Sequence, residues 1–141
     1  KGGAKGILHA SQISVGEENS LSIRIYGEKG GLEWHQMEPN TLLVHRLDQP
    51  TQIYRTGNGY LGESATAHSR IPAGHPEGYL EAFANIYRNF AADIAGELSG
   101  EPAPSYAKDY PTIKDGVRGM AFIEAVVKSS QNNAAWTELE L

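Results

Sequence analysis

The feature that most constrains this chain is a change of hydrophobic period near its middle. Up to about residue 60, apolar and polar residues alternate in short runs; from Pro76 onward, apolar residues recur every three or four positions. The first period belongs to strands with one face buried, and the second to amphipathic helices. In Leu21-Ser22-Ile23-Arg24-Ile25-Tyr26, Leu21, Ile23 and Ile25 share one side of a strand, and Ser22, Arg24 and Tyr26 the other. Five strands are predicted: Ile7–Ser14, Leu21–Tyr26, Leu32–Met37, Thr41–Leu47 and Thr51–Thr56. The connections are Val15–Asn19, Gly27–Gly31, Glu38-Pro39-Asn40 and Asp48-Gln49-Pro50. Links this short join antiparallel neighbours, because a parallel pair needs a crossover of about a dozen residues. The first half therefore reads as a meander. The glycines of Gly27–Gly31 are expected to supply the positive φ of a tight hairpin turn.

An irregular stretch runs from Gly57 to about Gly74. Tyr79, Phe83, Ile86, Tyr87, Phe90, Ile94 and Leu98 then mark the apolar face of a long helix. Pro76 suits its first turn, Glu77 complements the helix dipole there, and Gly100 and Pro102 stop it. After a linker, Glu101–Pro111, Thr112 and Asp115 have capping-box spacing. The second helix runs to about Ser130, with Ile113, Val117, Met120, Ala121, Phe122, Val126 and Val127 apolar; Asn132-Asn133 ends it, and the tail around Trp136 suits a short edge strand. The predicted fold class is α+β, an antiparallel open-faced β-sheet with two helices covering one face. The other face, carrying Tyr26 and Tyr54, is expected to meet a partner.

Composition narrows the function classes. A chain of 141 residues is one domain's length, and residues 1–141 read as a single α/β domain. A net charge of −5 without a Lys/Arg run argues against nucleic acid as a partner. No apolar run approaches the ~20 residues of a membrane helix, so no membrane partner and a cytoplasmic location are expected. Zero cysteines exclude disulfides, thiol nucleophiles and thiolate metal sites. The opening Lys1-Gly2-Gly3-Ala4-Lys5-Gly6 reads as a hairpin turn without its first strand, so a longer chain truncated at its N-terminus is expected.

His9, His35 and His45 read as half-exposed strand positions, and His68 has no evident partner in the sequence. No histidine pair has metal-ligand spacing, so no metal site is expected. His75, at the mouth of the long helix, is placed either to bind a hydroxyl or anion or merely to cap the helix. Glu17, Glu18 and Asn19 suit hydroxyl binding or acid–base work, or form a solvated acidic turn. There is no G-x-S-x-G elbow, and Gly27–Gly31 fails G-x-G-x-x-G. No residue is assigned a catalytic role, and the chain alone does not read as a complete enzyme.

Three segments together resemble one family: Gly3-Ala4-Lys5-Gly6 leading into His9-Ala10-Ser11-Gln12, Ile25–Leu32, and Gly74-His75-Pro76-Glu77-Gly78-Tyr79 with Ala82–Tyr87. The chain is similar to the C-terminal domain of the Gfo/Idh/MocA oxidoreductases, the glucose–fructose oxidoreductase and inositol dehydrogenase family. The resemblance implies an N-terminal Rossmann domain that binds NAD or NADP, with no cofactor held by these 141 residues. It implies hydride exchange with the CH–OH group of a sugar, inositol or related polyol. The family's Glu-Lys-Pro lysine and its Asp-x-x-x-His pair are absent from this sequence. What carries over is a set of expected polyol contacts: Glu17, Asn19 and His75, with Gln12, Arg70 and Glu77 behind them. Each polyol hydroxyl both donates and accepts, which such residues match. The implied partners are the chain's own Rossmann domain, the polyol, and further copies through the exposed sheet face. A stand-alone self-association or carbohydrate-binding module is the alternative.

Overall fold

The computed structural model describes residues 3–140. Strands β1 (Ser22–Gly27), β2 (Gly30–His35), β3 (Thr41–Arg46) and β4 (Gln52–Arg55) form one antiparallel sheet in the order β1-β2-β3-β4. The meander and the α+β class are as the periods predicted. The register pairs Ile23 with Trp34, Trp34 with Leu42, and Leu42 with Tyr54. One face therefore carries Ile23, Ile25, Leu32, Trp34, Leu42, Val44 and Tyr54. The other carries Arg24, Tyr26, Glu33, His35, Leu43, His45, Ile53 and Arg55. Tyr54 is thus on the apolar face, not beside Tyr26 as strand parity suggested. The β3–β4 register decides this, since it sets Tyr54 opposite Leu42, and a register one residue away would turn Ile53 to that face instead.

Ile7–Ser14 is not a strand. It is coil, and Ile7, Leu8 and Ile13 are all exposed. Alternation creates only the capacity for a strand; the ladder needs a neighbour, and none of the described residues pairs with this segment. Lys1 and Gly2 of the expected opening turn lie outside the described residues. The tail around Trp136 forms no edge strand, and Trp136 is fully exposed.

The β1–β2 turn is only Glu28-Lys29, and none of Gly27, Gly30 or Gly31 has positive φ. Glycine serves another purpose here. A Cβ at Gly30 would overlap the His45 carbonyl oxygen, and one at Gly31 would lie 3.0 Å from the Ile25 carbonyl oxygen. Close strand approach, not turn handedness, selects glycine.

Helices α1 (Glu63–Ala67), α2 (Tyr79–Ser99) and α3 (Ile113–Gln131) follow, with a 3-10 turn at Ser105–Lys108 between the last two. The short α1 and the 3-10 turn lie in stretches read as irregular. Helix α2 begins at Tyr79, so Pro76 and Glu77 precede it rather than forming its first turn. Its cap is Gly78, whose N–H donates to the Glu81 carboxylate at 2.8 Å. Gly100 closes it in the left-handed region, φ 73°. Thr112 caps α3 as expected: its N–H and hydroxyl reach Asp115 Oδ2 at 2.8 and 2.7 Å.

Helix α2 buries a polar stripe, not its apolar one. Asn85, Arg88, Asn89 and Asp93 turn inward, while Tyr79, Phe83, Ile86, Tyr87 and Phe90 are exposed. The neighbours explain this. Segments 62–78 and 101–111 lie along α2 and present backbone carbonyls that need donors. The aromatic ring of Tyr110 also packs here, edge-on to Phe90 with its hydroxyl 2.7 Å from Asp93 Oδ2. The two long helices therefore do not spread across the sheet; α2 meets it where the helix begins. Both sheet faces keep exposure: Ile23 and Ile25 are each 52% exposed, and Tyr26 is 78%.

Candidate functional site

The sheet and the start of α2 border an open cavity of about 390 Å³. Trp34, Gln36, Pro39, Asn40 and Thr56 line it from the sheet side; His68, Glu77, Tyr79, Glu81 and Asn85 line it from the other. Its construction starts at the β2–β3 turn. Trp34 Nε1 donates to the Pro39 carbonyl at 3.1 Å, which ties the ring to the turn. Asn40 then holds a peptide 37 residues away: its Nδ2 donates to the Glu77 carbonyl at 2.8 Å, and its Oδ1 accepts the Glu77 N–H at 3.1 Å. Thr56 Oγ1 donates to the same Oδ1 at 2.9 Å. One amide thus bonds both main-chain groups of Glu77, just ahead of the helix.

The Glu77 side chain turns to Arg70. It accepts the Arg70 backbone N–H at 2.8 Å and lies 3.5 Å from the guanidinium. Arg70 Nη2 donates to Asn85 Oδ1 at 2.7 Å, and Asn85 Nδ2 donates to the His68 carbonyl at 3.1 Å. The Glu81 carboxyl is held below its ordinary range, first by the Gly78 N–H it accepts. The wall therefore combines aromatic faces (Trp34, Tyr79) with charged and amide groups. That mixture suits a small polyhydroxylated molecule: C–H faces pack on rings, and hydroxyls meet donors and acceptors.

The expected site residues divide. Glu77 lines this wall, and Arg70, exposed and outside the lining, is bonded to it and to Asn85. His75 is exposed outside the cavity, its Nδ1 3.2 Å from the Pro72 carbonyl. Gln12, Glu17 and Asn19 are exposed on the coil ahead of β1. Of that group, the Asn19 main chain reaches the cavity wall: its carbonyl accepts Gln36 Nε2 at 2.9 Å. His68, without a partner in the sequence reading, has three: the Ser64 carbonyl, Asn89, and the Tyr106 ring. Asn40, His68 and Asn85 are among the wall residues that sequence reasoning missed. Asn40 read as turn punctuation. The amides at positions 85 and 89 were the available signal, since asparagine mid-helix needs a partner to offset its poor propensity.

A second charged cluster lies on the Tyr26 face. Glu33 accepts Arg24 Nη2 at 2.8 Å and meets His35 Nε2 at 2.7 Å, with His45 Nε2 at 3.6 Å. The His35 bond leads in holding the Glu33 carboxyl below its ordinary value. A dinucleotide does not fit the glycine-rich turns: Gly57, Gly59 and Gly62 have the G-x-G-x-x-G spacing but lead only into the 5-residue α1. Gly27–Gly31 joins two antiparallel strands with no helix after it, so no helix N-terminus faces a pyrophosphate there. Among the described residues no helix is long and apolar enough to cross a membrane.

Comparison with known proteins agrees with this architecture. Residues 1–139 match the sequence model described as "Oxidoreductase family, C-terminal alpha/beta domain" of the Gfo/Idh/MocA group. The uncharacterized oxidoreductase YfiI of Bacillus subtilis (strain 168) is 34% identical over 138 residues, 98% of this chain and 35% of that protein. An oxidoreductase structure from Sinorhizobium meliloti is 45% identical with a TM-score of 0.84, covering 91% of this chain and 35% of the other. An inositol dehydrogenase homolog from Azotobacter vinelandii, complexed with NADH and myo-inositol, is 35% identical with a TM-score of 0.77, covering 91% and 34%. The chain thus spans about a third of the length of these relatives.

Proposed function

This chain belongs to the Gfo/Idh/MocA oxidoreductase family, whose C-terminal alpha/beta domain it matches, and on that premise we propose that it is the substrate-binding and oligomerisation domain of an NAD(P)-dependent oxidoreductase acting on a CH–OH group of a sugar, inositol or related polyol. The observation that carries the reading is the cavity wall lined by Asn40, Glu77 and Asn85, with Arg70 bonded to the last two from behind the lining. It offers fixed donors and acceptors beside aromatic faces, and it holds Glu77, one of the residues that the family resemblance marks, with Arg70, another, bonded behind it. The solved relative that holds myo-inositol and NADH supports the polyol class and the nicotinamide. The NAD(P) site and the groups that take the hydroxyl proton belong to the N-terminal domain, so the 141-residue chain by itself is inactive. His75, Glu17, Asn19 and Gln12 are assigned to the outer rim of the substrate site, completed when that domain docks.

The test is steady-state kinetics of the intact oxidoreductase with a panel of polyols and both nicotinamides. Arg70→Met is expected to raise the polyol KM about tenfold, the factor for one lost charge-assisted bond, and to leave the nicotinamide KM unchanged. A folded Arg70→Met enzyme with an unaltered polyol KM would sink the reading.

A further inference from the structure

Asn89, at the centre of α2, is 1% exposed, and its whole amide is committed. Its Nδ2 donates to His68 Nε2 at 2.8 Å and to the Asp109 carbonyl at 3.1 Å. Its Oδ1 accepts Arg88 Nε at 3.3 Å and Nη2 at 3.0 Å. The amide cannot be turned over: a guanidinium only donates and a carbonyl only accepts. That orientation fixes the histidine as well. Nδ2 is a donor, so His68 Nε2 must present its lone pair. His68 Nδ1 lies 2.7 Å from the Ser64 carbonyl oxygen, so Nδ1 must carry the proton. The neutral Nδ1–H imidazole is the one form that satisfies both ends.

We infer that Asn89 and His68 are positioning residues that hold the Arg70–Glu77 segment at the cavity, and that they do so through the neutral Nδ1–H form of His68. The inference rests on the reading of Arg70 and Glu77 as substrate-site residues. The path is short. Arg88 Nη1 holds the Ala67 carbonyl at 2.6 Å, and Asn85 Nδ2 holds the His68 carbonyl at 3.1 Å. Two residues on, Arg70 takes both Glu77 and Asn85. Loss of the bracket at position 68 therefore releases the chain that delivers the guanidinium. The groups facing His68 are Arg88 from α2, the Tyr106 ring from the 3-10 turn at 5.8 Å, and the Asp109 carbonyl beyond it; Glu77 and Glu81 share its cavity. On its own helix the acidic residue is Glu63. Protonation of His68 would set an N–H against the Asn89 N–H beside the Arg88 cation, and the contact would open.

The experiment uses the intact oxidoreductase. Nitrogen NMR of the 15N-histidine-labelled enzyme reads the tautomer directly: a protonated Nδ1 and a bare Nε2 at His68 are expected, and an Nε2–H form overturns the inference. His68→Leu is expected to raise the polyol KM about tenfold with kcat within about twofold, and to speed amide exchange across residues 62–78. His68→Gln keeps one donor and one acceptor without titrating. It is expected to restore the KM at neutral pH. An unchanged KM in His68→Leu, where Arg70→Met raises it, overturns the inference and leaves the polyol reading standing. If Arg70→Met leaves KM unchanged, the polyol reading fails and amide exchange decides. Faster exchange in His68→Leu then upholds the bracket, and unchanged exchange overturns it.

Discussion

Single amides govern this chain more than its charges do. Asn40 makes both main-chain bonds of Glu77 and accepts Thr56, so Asn40→Ala leaves a peptide and a hydroxyl short of partners. It is expected to cost about 2–3 kcal/mol in urea unfolding, with the polyol KM rising alongside. Glu81 sets a pH dependence. Its carboxyl titrates below its ordinary value in the folded chain because it accepts the Gly78 N–H. Its contribution is therefore complete above the ordinary carboxylate range and is lost as pH falls through that lowered value. Urea midpoints followed from neutral to acid pH should fall less steeply in Glu81→Gln than in the native chain. An equal slope would assign the acid loss to other carboxylates, of which Asp115 and Glu33 are also held low. Neither role was legible beforehand. A Pro-Asn pair announces a turn, but not the distant peptide that the asparagine will hold.

At the scale of elements, the helix signals located both long helices to within a few residues. The Thr112–Asp115 box and the Gly100 stop are local chemistry, complete within one turn. Strand signals did less well, since Ile7–Ser14 has strand-like composition and no ladder. Two glycines in helices separate packing from propensity. A Cβ at Gly96 would stand 2.9 Å from Ala103 Cβ and 3.0 Å from the Ala103 nitrogen, on the strap that crosses α2. Gly96→Ala is expected to destabilise by about 1–3 kcal/mol through displacement of that strap. Gly119, in α3, has open space around it, so Gly119→Ala should stabilise by about 0.5–1 kcal/mol through propensity alone. Paired thermal melts check both, and equal signs would refute the packing argument.

For the whole molecule, surface area is the telling quantity. The chain exposes 12036 Å², against roughly 7,100 Å² for a compact monomer of its 15.3 kDa mass. The excess is apolar in large part: Phe83, Phe90, Val117, Ile123 and both sheet faces. Such surface needs a partner, and the proposed partner on the Tyr26 face is a second copy. Sedimentation is expected to show concentration-dependent association that Tyr26→Asp and Ile53→Asp, on that face, both weaken. Loss with Ile23→Asp instead would move the interface to the opposite face. The sequence by itself determined the periods, and with them an antiparallel meander followed by two helices with set ends, because those depend on residues a few positions apart. The tertiary structure alone decided which stripe of α2 is buried, where Tyr54 faces, and which expected site residues meet. Those outcomes depend on hydrogen bonds such as Asn40 to Glu77 and Asn89 to His68, between groups 37 and 21 residues apart, and no local period encodes a partner at that distance.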